Sequence, residues 1–268
     1  MTKTKPACPL PSATLILVRD GSNGLEILMV VRNKKSDFAS GALVFPGGKV
    51  DKADNAAKVR FYCEGSEALN DAELGMYVAA IRETYEECGV LLAKHSGSSN
   101  IISGDHLRRL EPYRKRLNSG ELTMGDFLEK ENLTLACDLL TAFAHWITPE
   151  PMVMRFDTCF YLAPAPNDQT GAPDGSESVA LFWITPQKAL EEADNGNLSM
   201  MFPTRMNILR IGESKTFKGA VDAAKASKII TVMPVIEKKE SGHILCIPKE
   251  ANYGITEAPL DLSMVKIR

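Results

Sequence analysis

The sequence has no large excess of charge of one sign and no long hydrophobic run. Its 268 residues include 31 lysines and arginines and 34 aspartates and glutamates, which gives a formal net charge of -3. No overall positive field therefore attracts nucleic acid. Apolar stretches such as residues 13–18 and 27–31 are far shorter than the roughly 20 residues that span a bilayer. We therefore expect neither nucleic acid nor a membrane as a partner.

Cysteine and histidine patterns that mark metal or disulfide sites are also missing. The six cysteines are scattered and form no CxxC pair, and the four histidines form no HExxH motif, which disfavours a zinc hydrolase. Scattered cysteines are typical of reduced thiols. The amino terminus contains Pro6 and Pro9 without an apolar block behind it, and the carboxyl end is not a Ser-Lys-Leu signal. These features predict a cytoplasmic protein.

The chain opens with a pattern typical of β-structure. With 44% hydrophobic and 24% charged residues, it is long enough for one large core or two small ones. Residues 12–19 and 25–32 are predicted strands, and the turn residues 20–24 between them indicate a hairpin. A third short strand is predicted over residues 42–45, where Pro46-Gly47-Gly48 ends it.

A helical pattern follows from Asn70. Its apolar residues recur at steps of four and three, which defines one buried stripe, and these are Leu74, Val78, Ile81, Tyr85 and Cys88. Asn70 and Glu73 have the spacing of a capping box, and Gly89 suits the position just past the end. Gly75 weakens the first turn, so the well-formed helix is expected to start later.

The rest of the chain alternates between the two patterns. Residues 95–132 are polar and charged, with predicted helices at 105–117 and 124–131, and we interpret this segment as an inserted helical cap. Further predicted elements are strands at 139–146, 155–163 and 179–183, helices at 186–193 and 203–211, and a closing hairpin formed by 229–236 and 243–247.

Three glutamates cluster on the helix that begins near Asn70. Glu83, Glu86 and Glu87 fall within an arc of about 100°, roughly opposite the apolar stripe. One interpretation is a solvated helix face, because amphipathic helices commonly expose glutamates. The other is a site for a hard divalent cation such as Mg²⁺ or Mn²⁺, which prefers carboxylate oxygens.

The sequence around these glutamates resembles the Nudix box. That motif has a glycine, five residues, a glutamate, seven residues and then Arg-Glu-apolar-x-Glu-Glu-x-Gly-apolar. The residues that fit the pattern are Gly48, Arg82, Glu83, Glu86, Glu87, Gly89 and Val90. Thr84 stands where an aliphatic residue is usual, and Asp54 stands in place of the first glutamate. The interval from Asp54 to Arg82 is 20 residues longer than usual; a surface insertion there is tolerable because loop-closure costs grow slowly with length.

The resemblance extends to a Nudix subgroup whose box contains an insertion and whose best-known members act as peroxisomal coenzyme A diphosphatases. It rests on residues 32–54, which include Phe38 and Gly41, and on segments 146–150, 155–158 and 203–207. It implies an α/β Nudix fold, a mixed β-sheet sandwiched between α-helices with a helical insert. We expect a single Nudix domain over residues 8–250, with a box insertion at about 55–74 and the helical cap insert at about 95–137.

The resemblance also implies roles for individual residues. The expected metal ligands are Glu83, Glu86, Glu87 and the carbonyl of Gly47, with Mg²⁺ or Mn²⁺ as the cofactor. Arg82 would pair with a carboxylate and brace the glycine loop against the helix, and Glu86 or a residue outside the box would accept the proton of the attacking water. Asp54 would serve either as a metal ligand or as a link between loop and helix. The predicted substrate contacts are Arg32, Phe45, Gly48 and Arg155.

The implied reaction is metal-dependent hydrolysis of the diphosphate linkage of a small nucleotide-linked substrate. Within the subgroup this would be coenzyme A or acyl-CoA, cleaved to 3',5'-ADP and 4'-phosphopantetheine. The alternatives are an ADP-ribose or dinucleotide pyrophosphatase and a non-catalytic nucleotide-binding Nudix module. The helical insert could also provide the contacts of a homodimer.

Two groups of residues leave the substrate contacts open. A basic group in the insert could contact an extra phosphate of the substrate or form a solvated helix face; it consists of Arg108, Arg109, Arg114, Lys115 and Arg116. Three strand aromatics, Trp146, Phe156 and Tyr161, are candidates either for stacking on a base or for the core.

Overall fold

The computed structural model describes residues 6–34, 40–240, 242–262 and 265. Phe38, one of the residues that carry the resemblance, lies outside them. The strands are β1 Leu10–Gly21, β2 Gly24–Arg32, β3 Ala42–Val44, β4 Gly47–Lys49, β5 Cys63–Glu64, β6 Ala93–His95, β7 Leu133–Ala136, β8 Thr141–Ile147, β9 Phe156–Pro164, β10 Ser178–Ile184, β11 Ser199–Met200, β12 Thr231–Val232, β13 Val235–Lys239, β14 Gly242–Cys246 and β15 Glu257–Pro259. The α-helices are α1 Ala57–Arg60, α2 Asp71–Cys88, α3 Gly104–Asn118, α4 Met124–Glu131, α5 Pro186–Asp194, α6 Phe202–Gly212 and α7 Phe217–Ala226; short 3₁₀ helices span Cys137–Leu139 and Lys249–Ala251.

A mixed nine-stranded sheet forms the centre of the fold. Its strand order is β11-β3-β2-β1-β9-β8-β12, and β10 and β4 pair additionally with β2 and β1. The predicted hairpin is confirmed, since β1 and β2 are antiparallel neighbours. On the other side β1 runs parallel to β9 along nearly its whole length. Because side chains alternate along a strand, β1 contributes Leu15 and Leu17 to one face and Ile16 and Val18 to the other.

Helices cover both faces of this sheet. The buried residues of α2, α3 and α4 pack on the face that contains Leu15 and Leu17. Residues of α5, α6 and α7 pack on the face that contains Ile16 and Val18. The predicted fold class, a mixed sheet between layers of α-helices, is therefore confirmed.

The glycine segment is itself a short strand. Strand β3 ends at Val44, one residue earlier than predicted, and β4 then pairs antiparallel with β1, so that Gly47 faces Thr14 and Gly48 faces Ala13. A Cβ atom on Gly47 would lie 2.5 Å from the carbonyl oxygen of Ala13. The glycine at position 47 thus permits a close approach between β4 and β1.

Helix α2 confirms the predicted caps and corrects the predicted start. Asn70 and Glu73 form the reciprocal capping box, and Gly89 ends the helix in the left-handed conformation at φ 64°. The expectation that Gly75 delays the helix is wrong, because α2 is continuous from Asp71. A Cβ atom on Gly75 would lie 3.1 Å from Cβ of Asn55 and 3.2 Å from Cγ1 of Val50. Gly75 therefore lets the residues that follow β4, called here the glycine strand (Gly47–Lys49), pack against the first turn of α2.

The two insertions predicted from the sequence pack against each other. Strand β5 of the box insertion pairs with β7, and β7 also pairs with β6 to form a separate three-stranded sheet. Lys58 of α1 donates to Asp126 at 2.6 Å and to Glu129 at 2.7 Å, both on α4. Helices α3 and α4 contribute their apolar side chains to the core behind α2. Whether this segment also covers the site as a cap stays a prediction.

The carboxyl-terminal third differs from the prediction in two places. The expected strand over residues 229–236 is two strands, because β12 joins the main sheet beside β8 while β13 pairs with β14 in a separate sheet. Helix α7 was not predicted; Thr216 caps it, and Ala220 and Ala224 are buried against the main sheet. In the described part of the chain, no helix is long and apolar enough to cross a membrane.

Candidate active site

The clustered glutamates of α2 are mostly removed from solvent, with Glu86 and Glu87 buried and Glu83 partly buried. The side chains of Glu83, Glu86 and Glu87 are 15%, 5% and 2% exposed. The interpretation of a solvated helix face is therefore wrong. The apolar stripe on the opposite side of α2, from Leu74 to Cys88, is buried as predicted. Ionised carboxylates are rarely buried without a partner, since their removal from water is costly. The partners of these three side chains define the site.

Arg82 is the main partner. Its Nε and Nη2 donate to Oδ1 and Oδ2 of Asp54, each at 2.9 Å, and its Nη1 donates to Glu83 at 3.0 Å and to Glu86 at 3.1 Å. Nη2 also donates to the carbonyl oxygen of Lys49 at 2.9 Å. Arg82 therefore links α2 to the chain that follows the glycine strand, as predicted. Because Arg82 is buried, these contacts are not an ordinary ion pair on the protein surface.

Asp54 is the link between loop and helix. Both of its carboxylate oxygens are engaged, because Oδ2 also accepts from the backbone N–H of Asp51 at 2.8 Å. Burial raises the pKa of Asp54, and the bond to Arg82 opposes that rise. The bidentate pair explains how the shorter side chain replaces the usual glutamate: its carboxylate meets the guanidinium fork directly. Of the two roles open in the sequence, these contacts favour the structural one.

The glycine strand, β4, contacts two members of the acidic cluster, Glu87 and Glu83. The backbone N–H of Gly47 donates to Oε2 of Glu87 at 3.2 Å. A side chain on Gly48 would overlap the carboxyl group of Glu83. The strand can therefore lie against both glutamates only because residue 48 has no Cβ. The structure thus brings Gly47 and Gly48 together with the glutamates, as the sequence predicted.

The pKa values of all three carboxyl groups are raised. Burial is the largest cause in each case: it raises the pKa of Glu83 to about 7, that of Glu86 to about 8, and that of Glu87 well above its usual value. Arg82 lowers the pKa of Glu83 and Glu86, and repulsion from Glu83 raises that of Glu86 and Glu87. Such values mean that the ionised cluster needs a further positive charge.

The chemistry of the donor set fits a hard divalent cation. Oε1 of Glu86 is buried and has no hydrogen-bond partner, so it is free to bind a cation. Among the residues that the structure describes, no group of three or more His, Cys, Asp or Glu side chains stands in a metal-binding arrangement. Arg82 and the Gly47 N–H bind other oxygens of the cluster. Carboxylate oxygens on a rigid helix are the ligands that Mg²⁺ and Mn²⁺ prefer.

Arg32 and Glu177 form the open side of the cluster. Arg32, at the end of β2, places Nη1 3.6 Å from Glu87 and Nη2 3.8 Å from Glu177. The predicted substrate contact Arg32 therefore lies at the site, and its Nε is buried without a partner. Glu177 was missed by the sequence analysis, because it follows a Pro/Gly/Asp segment about 90 residues from the box and belongs to no motif.

Other predicted substrate contacts lie elsewhere. Phe45 is buried in the core on the opposite face of the sheet. Arg155 is buried, and its guanidinium donates to the carbonyl oxygens of Thr148 and Ala7 at 2.9 Å and 2.8 Å. Both side chains are therefore structural, which corrects the prediction.

The two groups that the sequence left open divide by burial: Arg108, Arg109 and Lys115 are exposed, and Phe156 is partly buried. Trp146 and Tyr161 are buried in the two cores. In the basic group, Arg114 is buried and donates to the carbonyl oxygens of Glu86 at 3.1 Å and Ala172 at 2.9 Å. Arg116 pairs with Glu121. Arg114 therefore supports the end of α2 from behind, where a substrate phosphate does not reach it.

Replacing Gly48 by alanine tests the contact between the glycine strand and Glu83. We expect the new Cβ to displace the flexible Glu83 side chain, so that turnover falls at least about tenfold while unfolding changes little. Gly47→Ala provides the matched contrast, because its Cβ would meet β1 backbone and destabilise the fold. Turnover assays and urea unfolding of both variants check this. A Gly48→Ala variant with wild-type turnover would contradict it.

The fold is shared with known Nudix hydrolases. The crystal structure of a Nudix hydrolase from Alicyclobacillus acidocaldarius is 26% identical to this chain, with a TM-score of 0.66, and the match covers 81% of this chain and 96% of that one. The family model described as the NUDT19 Nudix domain matches residues 64–211, which is more than half of the chain. The chain therefore belongs to the Nudix hydrolases, in the family of the NUDT19 Nudix domain.

Curated relatives agree with this family. Putative nudix hydrolase 7 of Caenorhabditis elegans is 26% identical over 229 residues, covering 85% of this chain and 69% of its own length. The acyl-coenzyme A diphosphatase NUDT19 of Xenopus laevis is 24% identical and that of Gallus gallus 25% identical, covering 65% and 69% of this chain. The chain spans only 56% and 61% of the length of these two relatives.

Proposed function

We propose that this chain hydrolyses the diphosphate linkage of a nucleotide-linked small molecule with the help of Mg²⁺ or Mn²⁺. The observation that carries the proposal is the cluster of Glu83, Glu86 and Glu87, removed from solvent beside the glycine strand, with Oε1 of Glu86 buried and unpartnered. A diphosphate substrate brings its own negative charge to the site. Divalent cations beside an arginine provide the charge balance that both require.

The residues of the chain have distinct tasks in this reaction. A divalent cation, when bound, neutralises phosphate oxygens and lowers the pKa of bound water. Glu83, Glu86, Glu87 and the carbonyl of Gly47 would hold it. Arg82 fixes the orientation of Glu83 and Glu86 through its hydrogen bonds. Arg32 lies beside Glu87 with an unpartnered Nε, and we propose that it donates to a phosphate oxygen of the substrate.

For the substrate we propose coenzyme A or acyl-CoA, cleaved to 3',5'-ADP and a 4'-phosphopantetheine product. Support comes from the NUDT19 relatives, whose name is acyl-coenzyme A diphosphatase. ADP-ribose and dinucleotides are the second candidates, because the acidic cluster and Arg32 can recognise any diphosphate. The non-catalytic module is disfavoured, since all three glutamates and Arg82 are present and Arg82 contacts Glu83 and Glu86.

Incubation with a panel of diphosphates tests the proposal. The purified chain with Mg²⁺ or Mn²⁺ would be mixed separately with coenzyme A, acyl-CoA, ADP-ribose, NADH and a diadenosine polyphosphate, and products identified by mass spectrometry. We expect 3',5'-ADP from coenzyme A or acyl-CoA, and complete loss of turnover with a chelator that is reversed by added Mg²⁺. Cleavage of another panel compound alone would make that compound the substrate in place of coenzyme A or acyl-CoA. Turnover that resists the chelator would contradict the metal site.

Three further predictions from the sequence accompany this proposal. We propose that residues 8–250 act as one catalytic unit, that the chain works in the cytoplasm, and that the helical insert supplies contacts of a homodimer. All six cysteines are free thiols, which is compatible with a reducing compartment. A small-molecule nucleotide is the expected partner of the site.

A further inference from the structure

The segment that precedes β10 is anchored to the end of helix α2. The backbone N–H of Asp174 donates to the carbonyl oxygen of Glu87 at 3.1 Å. The Asp174 carboxylate in turn accepts from the backbone N–H groups of Ser176 and Glu177 at 3.0 Å each and of Ser178 at 2.7 Å. An aspartate that collects three consecutive backbone donors fixes the turn around it. The backbone of Glu177 is therefore positioned relative to Glu87.

The same segment is tied to the end of β2 on its other side. Asn33 donates its backbone N–H to the carbonyl oxygen of Glu177 and its side-chain amide to that of Ser176, both at 2.8 Å. Ser178 stands opposite Arg32 in the pairing of β10 with β2. Glu177 is thus held between the last residues of β2 and the last turn of α2, the two elements that carry Arg32 and Glu87.

The Glu177 side chain faces the acidic cluster across Arg32. Its Oε2 lies 3.8 Å from Arg32 Nη2, while Arg32 Nη1 lies 3.6 Å from Glu87 Oε1. Its charge also acts on Glu83 and Glu87, for each of which it contributes to the raised pKa. Glu177 therefore lies near Glu83 and Glu87, although it does not belong to the Nudix box.

Glu177 differs from the three box glutamates in its exposure to solvent and in its contacts. It is 50% exposed, and within the described residues its one ion pair is the long contact to Arg32. Glu83 and Glu86 accept from Arg82, and Glu87 accepts from Gly47. A general base needs room for a water molecule within hydrogen-bond reach. Each helix glutamate thus has one oxygen held by Arg82 or Gly47 and is a predicted metal ligand, whereas Glu177 is half exposed.

One exposed carboxylate competes with it. Asp51 is 68% exposed and lies 3.8 Å from Arg82 Nη2. Its charge acts on the buried Asp54, and its ion pair is with Arg82, whereas that of Glu177 is with Arg32. Asp51 therefore lies beside the structural ion pair, and Glu177 beside the predicted metal ligands.

We propose that Glu177 is the general base of this enzyme, an inference that rests on the proposed diphosphate hydrolysis. A water oxygen forms a bond to one phosphorus as the bridging P–O bond breaks, and the leaving phosphate oxygen departs with the electron pair of that bond. The proton of the water passes to the Glu177 carboxylate and from there to solvent. Arg32, between Glu177 and Glu87, is placed to hold the phosphate at which this occurs.

Glu177→Gln, compared with wild type on whichever panel substrate wild type cleaves, tests the proposal. We expect kcat to fall by about a hundredfold or more, KM to change less than about threefold, and Mn²⁺ affinity of the protein alone, measured by electron paramagnetic resonance, to stay unchanged. Glu177→Ala should regain activity with added formate, because the position is open to solvent. Glu240→Gln, an exposed glutamate in the β13–β14 turn, is the matched control with wild-type kinetics.

Several outcomes would overturn the assignment. A Glu177→Gln variant with wild-type kcat would remove Glu177 from the chemistry, and a loss in Asp51→Asn alone would move the role to Asp51. A rise in KM without loss of kcat would make Glu177 a support for Arg32. Weaker Mn²⁺ binding would make it a metal ligand. If the wild-type protein cleaves no diphosphate of the panel, the proposed function is wrong, and so is the assignment of Glu177 as its general base.

Discussion

Replacing Glu87 or Glu86 with glutamine is expected to reduce turnover at least about a hundredfold while the protein stays folded. Each change removes one carboxylate from the proposed cation site, and charge stabilisation by a metal contributes several kcal/mol to a transition state. Folding should not suffer, because burial already raises the pKa of both side chains and an amide carries no charge to bury. Steady-state kinetics and urea unfolding of the metal-free variants measure both effects.

Glu73→Gln provides a matched control on the same helix. It makes the same chemical change at an exposed position, and glutamine can keep the capping box with Asn70. Its turnover should equal that of wild type. If Glu86→Gln and Glu87→Gln both retained wild-type turnover as well, the cluster on α2 would not be the metal site, and the buried carboxylates would need another explanation.

The sequence predicted the acidic cluster because local geometry decides it. The spacing of Glu83, Glu86 and Glu87 on a helix follows from 3.6 residues per turn, and the capping box and Gly89 set the ends of that helix. The pattern could not decide whether the glutamates are solvated or buried. Their burial results from the glycine strand, β2 and the segment before β10 packing around α2, and these contacts join residues far apart in the chain.

Glu177 illustrates what local patterns omit. Its position depends on Asp174, which binds the end of α2, and on Asn33, which follows β2. No periodicity or motif connects residues 33, 87 and 174. The same reason explains the errors at Phe45 and Arg155: both lie in segments that resemble the subgroup, yet Phe45 points to the opposite face of the sheet and Arg155 holds the backbone of Ala7.

The interrupted box is understandable from the packing of the insertions. Residues between Asp54 and Arg82 add α1 and β5, and both rest on the second insertion through the β5–β7 pairing and through Lys58. Asp54 still binds Arg82, because the additional residues follow Asp54 in the chain and precede the part of α2 that carries Arg82. The inserted residues therefore add structure beside the site without separating its two halves.

Arg82→Met is expected to destabilise the fold by about 3–5 kcal/mol, the usual result of removing one partner of a buried ion pair. Arg82 is 8% and Asp54 1% exposed, so methionine would leave Asp54 and Glu86 buried without their cation. The free energy of unfolding from urea titration measures the loss. Lys58→Met is the matched control: Lys58 has two ion pairs of 2.6 Å and 2.7 Å but is exposed, so little change in the urea midpoint is expected.

The pairing of Arg82 with Asp54 predicts opposite effects of Asp54→Asn on the free energy of unfolding in two proteins. The substitution should destabilise the wild type and stabilise the Arg82→Met variant. In wild type the substitution removes a buried bidentate ion pair and should lower the free energy of unfolding. In Arg82→Met the same substitution removes an uncompensated buried charge, and should restore at least about 1 kcal/mol. The double variant would then be more stable than Arg82→Met alone. If instead the two losses simply add, Asp54 does not depend on Arg82 for its burial, and the link between the glycine strand and α2 must come from other contacts, such as the bond from Gly47 to Glu87.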